Sequence, residues 1–237
     1  MTPLARRALA ELVGTAFLVA VVVGSGIAAQ TLSPGDTGLQ LLENAVATAA
    51  GLAAIIVAVG PVSGAHLNPV VSLADRVFGG LDNRELGVYV GAQVAGGALG
   101  AVVANLMYSE PGIEWSTKSR DGGGIWLAEV VATLGLLLLV FGIARGGRAA
   151  IAPFAVGAYI GAAYFFTSST SFANPAVTAA RTLTDTFAGI EPASAPAFVA
   201  AQLVGAALAI GLVRALYPTV TDATARDVVV PIETEDA

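Results

Sequence analysis

The sequence predicts an all-α membrane protein: six membrane-crossing helices plus two re-entrant half-helices, arranged as an inverted repeat. Three observations carry that expectation. Of 237 residues, 56% are apolar and 12% charged, about half the charged share of a soluble domain. Six apolar stretches are each long enough to cross roughly 30 Å of hydrocarbon. Two Asn-Pro pairs, Asn68-Pro69 and Asn174-Pro175, stand at matching places in the two halves of the chain.

The same arithmetic excludes several classes. Charge is too low for a soluble enzyme or a disordered chain, and a net charge of −6 with pI 4.7 opposes a polyanion, so no nucleic-acid partner is expected. The absence of cysteine removes disulfides, thiolate metal sites and cysteine nucleophiles together. With His66 as the lone histidine, neither a metal site nor a cofactor is expected.

The first span covers 9–30. Arg6-Arg7 ahead of it suits a signal peptide, but the run is about twice a signal's apolar core and Glu11 interrupts its start. We read it as an uncleaved first helix. The other spans are 41–62, 87–108, 125–144, 149–167 and 197–217, joined by turn-forming segments at 33–36, 122–124 and 145–148. The loop at 109–124 mixes both charge signs and is expected to be exposed. The stretch 218–237 has five acids and one arginine and reads as a weakly ordered soluble tail. With the N-terminus inside, Arg6, Arg7, Arg76, Arg84, Arg145, Arg148, Arg214 and Arg226 lie on the cytoplasmic side, against Lys118, Arg120 and Arg181 outside. That bias predicts a multi-pass protein of the cell membrane with both termini cytoplasmic.

The chain repeats itself. Ala10-Glu11-Leu12-Val13 recurs 118 residues on as Ala128-Glu129-Val130-Val131. Gln93, Gly96 and Gly100 recur 109 residues on as Gln202, Gly205 and Ala209, and Asn68-Pro69-Val70 recurs 106 residues on as Asn174-Pro175-Ala176. Three spans per half give the halves opposite orientations, so repeats of about 8–108 and 125–217 form one membrane domain within 1–237.

Each Asn-Pro pair reads as a helix start, since asparagine is a preferred N-cap and proline suits the first helical position. From 68 to about 78, and from 174 to about 184, there is room for roughly 15 Å of helix, half a bilayer. Two such half-helices meet start-to-start at the midplane. Each start carries about +0.5 elementary charge, which opposes cations. Asn68 and Asn174 can cap through the carboxamide oxygen and present the NH2 group to a lumen as midplane donors. The arrangement suits a passive channel for small neutral hydroxylated solutes.

Glu11 and Glu129 are ionisable groups inside apolar spans, and two readings compete. A proton relay would make a coupled secondary transporter. A loop scaffold would accept hydrogen bonds from re-entrant backbone, and repeat symmetry favours it. His66 has no second ligand near it in sequence and reads as structural, lining a vestibule; a pH-responsive gate is the alternative. An intramembrane hydrolase would need a serine beside His66, and no spacing predicts one. Gly96, Gly100, Gly205 and Ala209 read as close helix packing.

These residues resemble the aquaporin / major intrinsic protein (MIP) family, whose mark is a pair of Asn-Pro-Ala boxes on half-helices. The matching stretches are Ser-Gly-Ala-His-Leu-Asn-Pro-Val at 63–70 and Ser-Phe-Ala-Asn-Pro-Ala-Val at 171–177. The resemblance covers 9–217. It implies an aquaporin-like fold and a homotetramer in the lipid bilayer with a pore in each protomer, and no enzyme activity. Two residues depart from the pattern: Val70 ends the first box, and Val177 stands where the family places an arginine. Counting from the asparagines, the resemblance puts the selectivity constriction at Thr48, Ala162, Ser171 and Val177, a small uncharged ring. Such a ring implies a wide constriction that admits glycerol, urea and arsenous acid besides water. The valine, with the Gly-Pro-Val-Ser-Gly-Ala-His loop at 60–66, is similar to the bacterial aquaglyceroporin-like subgroup associated with arsenic-resistance operons. That likeness implies conduction of trivalent arsenic. The alternative is a water or glycerol facilitator without an arsenic role. Arg181, one turn outward of Val177, is expected to snorkel to the outer interface; the alternative is a positive charge restored at the outer mouth.

Overall fold

Helix starts are written plainly in the chain. Thr2 caps α1 (Pro3–Leu32) by accepting from the Ala5 N–H, and Asp36 caps α2 (Thr37–Ser63) by accepting from Leu39. Asn68 caps α3 (Pro69–Phe78), and Asp82 with Glu85 forms a reciprocal capping box on α4 (Asn83–Met107). Then come α5 (Gly123–Arg145), α6 (Ala152–Phe166), α7 (Pro175–Ala180) and α8 (Ala195–Leu216). These elements are those of a computed structural model that describes residues 1–218. The acidic tail lies outside the described residues apart from Pro218, and Arg226 with it.

Six helices are long and apolar enough to cross a membrane. Two details differ from the sequence reading. The fifth span opens with a 3-10 turn, Ala149–Ile151, before α6. The second half-helix holds only six α-helical residues before a 3-10 turn, Arg181–Leu183. Its final carbonyls are captured from outside: Arg181 O accepts from Ile190 N, Thr182 O from Ser116 N, and Leu183 O from Glu114 N. The loop at 109–124 is mostly exposed, as expected, yet it is pinned across the end of α7 with Ser116 buried.

The long helices approach each other closely. α1 packs chiefly on α4 and α5 on α8. A Cβ at Gly96 would run into the Leu12 carbonyl oxygen, and one at Gly205 into that of Val130. Leu12 and Val130 are 118 residues apart, and the glycines 109, so both contacts recur at the spacings of the sequence repeat. Small residues at these crossings let the backbones approach.

Candidate functional site

Two re-entrant loops, 64–68 and 170–174, build the site. Non-helical backbone inside apolar surroundings must find its partners within the protein. Glu11 Oε1 accepts from His66 N at 3.0 Å and Oε2 from Leu67 N at 2.7 Å. In the other half, Glu129 Oε1 accepts from Phe172 N and Oε2 from Ala173 N, each at 2.9 Å. A glutamine braces each carboxylate: Gln93 Nε2 donates to Glu11 and Ser72 Oγ, and Gln202 Nε2 to Glu129 and Thr178 Oγ1. Both glutamates are fully buried.

Backbone conformation repeats as well. Gly64, Ala65 and Leu67 have φ of 83°, 48° and 51°; 106 residues on, Thr170, Ser171 and Ala173 have 62°, 51° and 47°. Left-handed conformations in residues other than glycine cost of order 1–3 kcal/mol each and persist only where surroundings enforce them. The paired N–H bonds to Glu11 and Glu129 are that enforcement.

Asn68 Oδ1 accepts from Val70 N at 3.1 Å, and Asn174 Oδ1 from Ala176 N and Val177 N at 3.0 and 3.2 Å. The carboxamide nitrogens cross over. Asn68 Nδ2 donates to Ala173 O at 2.7 Å, and Asn174 Nδ2 to Leu67 O at 2.8 Å. One N–H of each amide thus ties the two half-helix starts together, and one remains for the cavity both residues line. Pro69 and Pro175 occupy the first helical positions, while Val70 and Ala176 are buried in the core and do not line the cavity.

The cavity runs from His66 past the two asparagines to Arg181. It offers about 60 Å³ to the centres of water-sized molecules, where one water needs roughly 10–15 Å³. That is room for about four to six waters. Thr48, Ser171 and Val177 line it, and Ser171 Oγ is buried without a partner.

Two expectations about the constriction fail. Ala162 is exposed on the outer side of α6 and does not line the cavity. Tyr164 lines it instead, sharing a 3.1 Å hydrogen bond with Thr48 Oγ1. Counting back from Asn174 carries no helical phase through the intervening loop, whereas Val156, Ile160 and Tyr164 recur every fourth residue on one face. A phenol at the end of an otherwise apolar face was the available signal. The expected snorkelling of Arg181 also fails. Arg181 is 3% exposed, lines the cavity, donates from Nε to Ala188 O and sets Cζ 3.4 Å from the centroid of the Phe172 ring. The cavity lining is therefore not confined to small uncharged side chains: beside Thr48, Ser171 and Val177 it includes the Tyr164 phenol, the Phe172 ring and the Arg181 guanidinium.

His66 lines the opposite end, its Nδ1 3.0 Å from Ser72 Oγ and its Nε2 3.9 Å from Asp75 Oδ2. Sequence spacing did not anticipate this serine and carboxylate beside the histidine. Ser72 is fully buried, accepts from Gln93 and does not line the cavity, so its hydroxyl is presented to no solute. Among the described residues no cluster of three metal-ligating side chains occurs.

Comparison with known proteins converges on one family. The sequence model described as major intrinsic protein matches residues 1–173. Aquaglyceroporin AqpS of Rhizobium meliloti (strain 1021) is 49% identical over 211 residues, 89% of this chain and 90% of that protein. The glycerol uptake facilitator protein of Pseudomonas aeruginosa is 31% identical over 181 residues, covering 65% of this chain and 64% of its own. The X-ray structure of the aquaglyceroporin from Plasmodium falciparum shares the fold, with a TM-score of 0.69 over 91% of this chain and 98% of that one, at 19% identity. Six apolar spans, two cross-bonded half-helices and these matches lead to one conclusion: the chain belongs to the major intrinsic protein family, whose members are channels and not enzymes.

Proposed function

We propose that the chain is a passive channel of the cell membrane for small neutral hydroxylated solutes, glycerol and arsenous acid among them, with water accompanying. The carrying observation is the narrow cavity lined by the polar side chains of Asn68, Asn174, Ser171 and Tyr164 together with the apolar ones of Val177, Leu52 and Ile160. A polyol presents hydroxyls along one edge and carbon along the other, and this lining matches both. Arsenous acid is neutral near pH 7 and also presents three hydroxyls, and a cysteine-free lining has no thiol to retain arsenic. In this reading Asn68 and Asn174 are the midplane donors, and Thr48, Tyr164, Ser171 and Val177 form the constriction. Glu11 and Glu129 are loop anchors, and His66 and Arg181 mark the two vestibules. The repeats at about 8–108 and 125–217 make one channel domain, with the termini and the His66 end cytoplasmic. Four copies assemble, each with its own pore.

A coupled transporter would need a titrating group in the lumen. No carboxylate lines the cavity among the described residues, and both intramembrane glutamates are occupied by loop N–H groups. The deciding experiment is stopped-flow light scattering on proteoliposomes with water, glycerol, urea and arsenous acid, comparing wild type with Val177→Arg. The variant should retain water flux while glycerol and arsenous acid flux fall at least fivefold. Equal loss of all four would remove Val177 as the size determinant, and uptake driven by an imposed proton gradient would revive the transporter.

A further inference from the structure

The two ends of the cavity carry repeat-related pairs of opposite character. His66 and Asp75 lie 106 residues before Phe172 and Arg181. In each pair a ring on the re-entrant loop meets a buried charged side chain beyond its half-helix start: imidazole and carboxylate at one end, phenyl and guanidinium at the other. A second ring backs each, Tyr89 at 5.1 Å from His66 and Phe198 at 5.0 Å from Phe172. The symmetry stops at the lumen. Asp75 stands behind His66 and does not reach the cavity, whereas Arg181 lines it.

We propose that Arg181 is the charge filter of this channel, one helical turn outward of Val177, and that Phe172 is its positioning residue. This rests on the neutral-solute channel reading above. Nε is held by Ala188 O, and among the described residues Nη1 and Nη2 bond to nothing. No carboxylate pairs with the guanidinium among those residues. Glu129 is fully buried with its oxygens taken up by Phe172 N, Ala173 N and Gln202, and Asp185 accepts from Thr117. The neighbouring charges are positive: Arg120 Cζ lies 5.0 Å from the same Phe172 ring, and Lys118 bonds Phe187 O nearby. A cation leaving the midplane meets an uncompensated guanidinium in a cavity that holds only a few waters. A neutral polyol carries no charge for the guanidinium to repel and passes it.

The test uses proteoliposomes of the full chain and reads proton and sodium leak beside glycerol flux. Arg181→Met should raise both leaks at least tenfold while glycerol flux stays within threefold, and Arg181→Lys should hold the leaks within twofold. The native chain has no cysteine, so R181C supplies a single thiol. Aminoethyl methanethiosulfonate, which adds a cation there, should restore exclusion, and the methyl reagent should not; both arms share one folded preparation. If neither neutral variant folds, Phe172→Leu carries the test: it keeps the charge, removes its seat, and should raise the leaks at least threefold. Wild-type vesicles that pass no glycerol would overturn the channel reading. Vesicles that pass glycerol yet stay cation-tight in R181M and R181C, or in F172L, would overturn the role of Arg181 alone. So would equal effects of the cationic and neutral reagents.

Discussion

The two re-entrant loops are alike where they are anchored and unlike where they face the lumen. Both hang from a buried glutamate braced by a glutamine, both contain three consecutive-but-one left-handed residues, and both end in an asparagine cap. At the mouths the likeness breaks. One end sets a histidine toward the cavity with Asp75 behind it, near the Arg7–Glu85 ion pair. The other sets a phenyl ring and a guanidinium, with Arg120 and Lys118 beyond. Duplicated anchors hold backbone that nothing else can satisfy, so they tolerate little change. Mouth residues are attached to that frame and free to differ.

The largest expected effect comes from removing an anchor. Glu11→Ala or Glu129→Ala leaves two buried backbone N–H groups unpaired, at about 1–3 kcal/mol each. Thermal unfolding in detergent should show losses of roughly 2–6 kcal/mol for either variant. Glu11→Ala should be the worse, because Glu11 also accepts from Ser63 Oγ. A variant that unfolds like wild type would show that its loop stands without its glutamate. A smaller effect of opposite sign tests the backbone parallel. Thr170 holds the conformation that glycine holds at the repeat-related position 64, and a β-branched residue fits it poorly. Relief of about 1–3 kcal/mol of strain, less glycine's extra folding entropy of roughly 0.5–1 kcal/mol, should leave Thr170→Gly net stabilising, and Gly64→Thr should destabilise. If both destabilise, the threonine side chain matters more than its strain.

The smallest effect probes the cluster of positive charge. Lys118, in the loop over α7, has its pKa lowered to about 8, first by partial desolvation where its ammonium folds onto Phe187, then by Arg120 and Arg181, with Asp185 opposing. It is the chain's sole lysine, so amine labelling against pH, read by mass spectrometry on the peptide that holds Lys118 and apart from any α-amine, should show a midpoint near 8 instead of about 10.4. Replacing Arg120 with Gln should move the midpoint upward. A lysine with a lowered folded pKa weakens the fold while charged. That penalty stands below about 8 and fades as pH rises towards the ordinary lysine value.

The spans were legible because twenty consecutive apolar residues have few alternatives. The loop partners were legible for a different reason: the offsets 118, 109 and 106 tie Glu11, Gln93 and Asn68 to their counterparts without any coordinates. What resisted was phase and reach. Tyr164, not Ala162, lines the cavity because loop length decouples residue count from helical face. The fate of Arg181 depends on Ala188 and Phe172, both outside its own helix, and local spacing reports neither. Its repeat relation to Asp75 was readable, but opposite charges hid it.

The crossed asparagine bonds also set an order of assembly. Asn68 Nδ2 finds its acceptor on Ala173, 105 residues later, and Leu67 O waits for Asn174. At about 5–20 residues per second of synthesis, the first half spends roughly 5–20 s with both groups unpaired. Its three long helices can insert in that time, but its half-helix start has no partner until the second loop arrives. Closure of the midplane is therefore a late, joint event, and the two halves made as separate chains should complete it by meeting in the membrane.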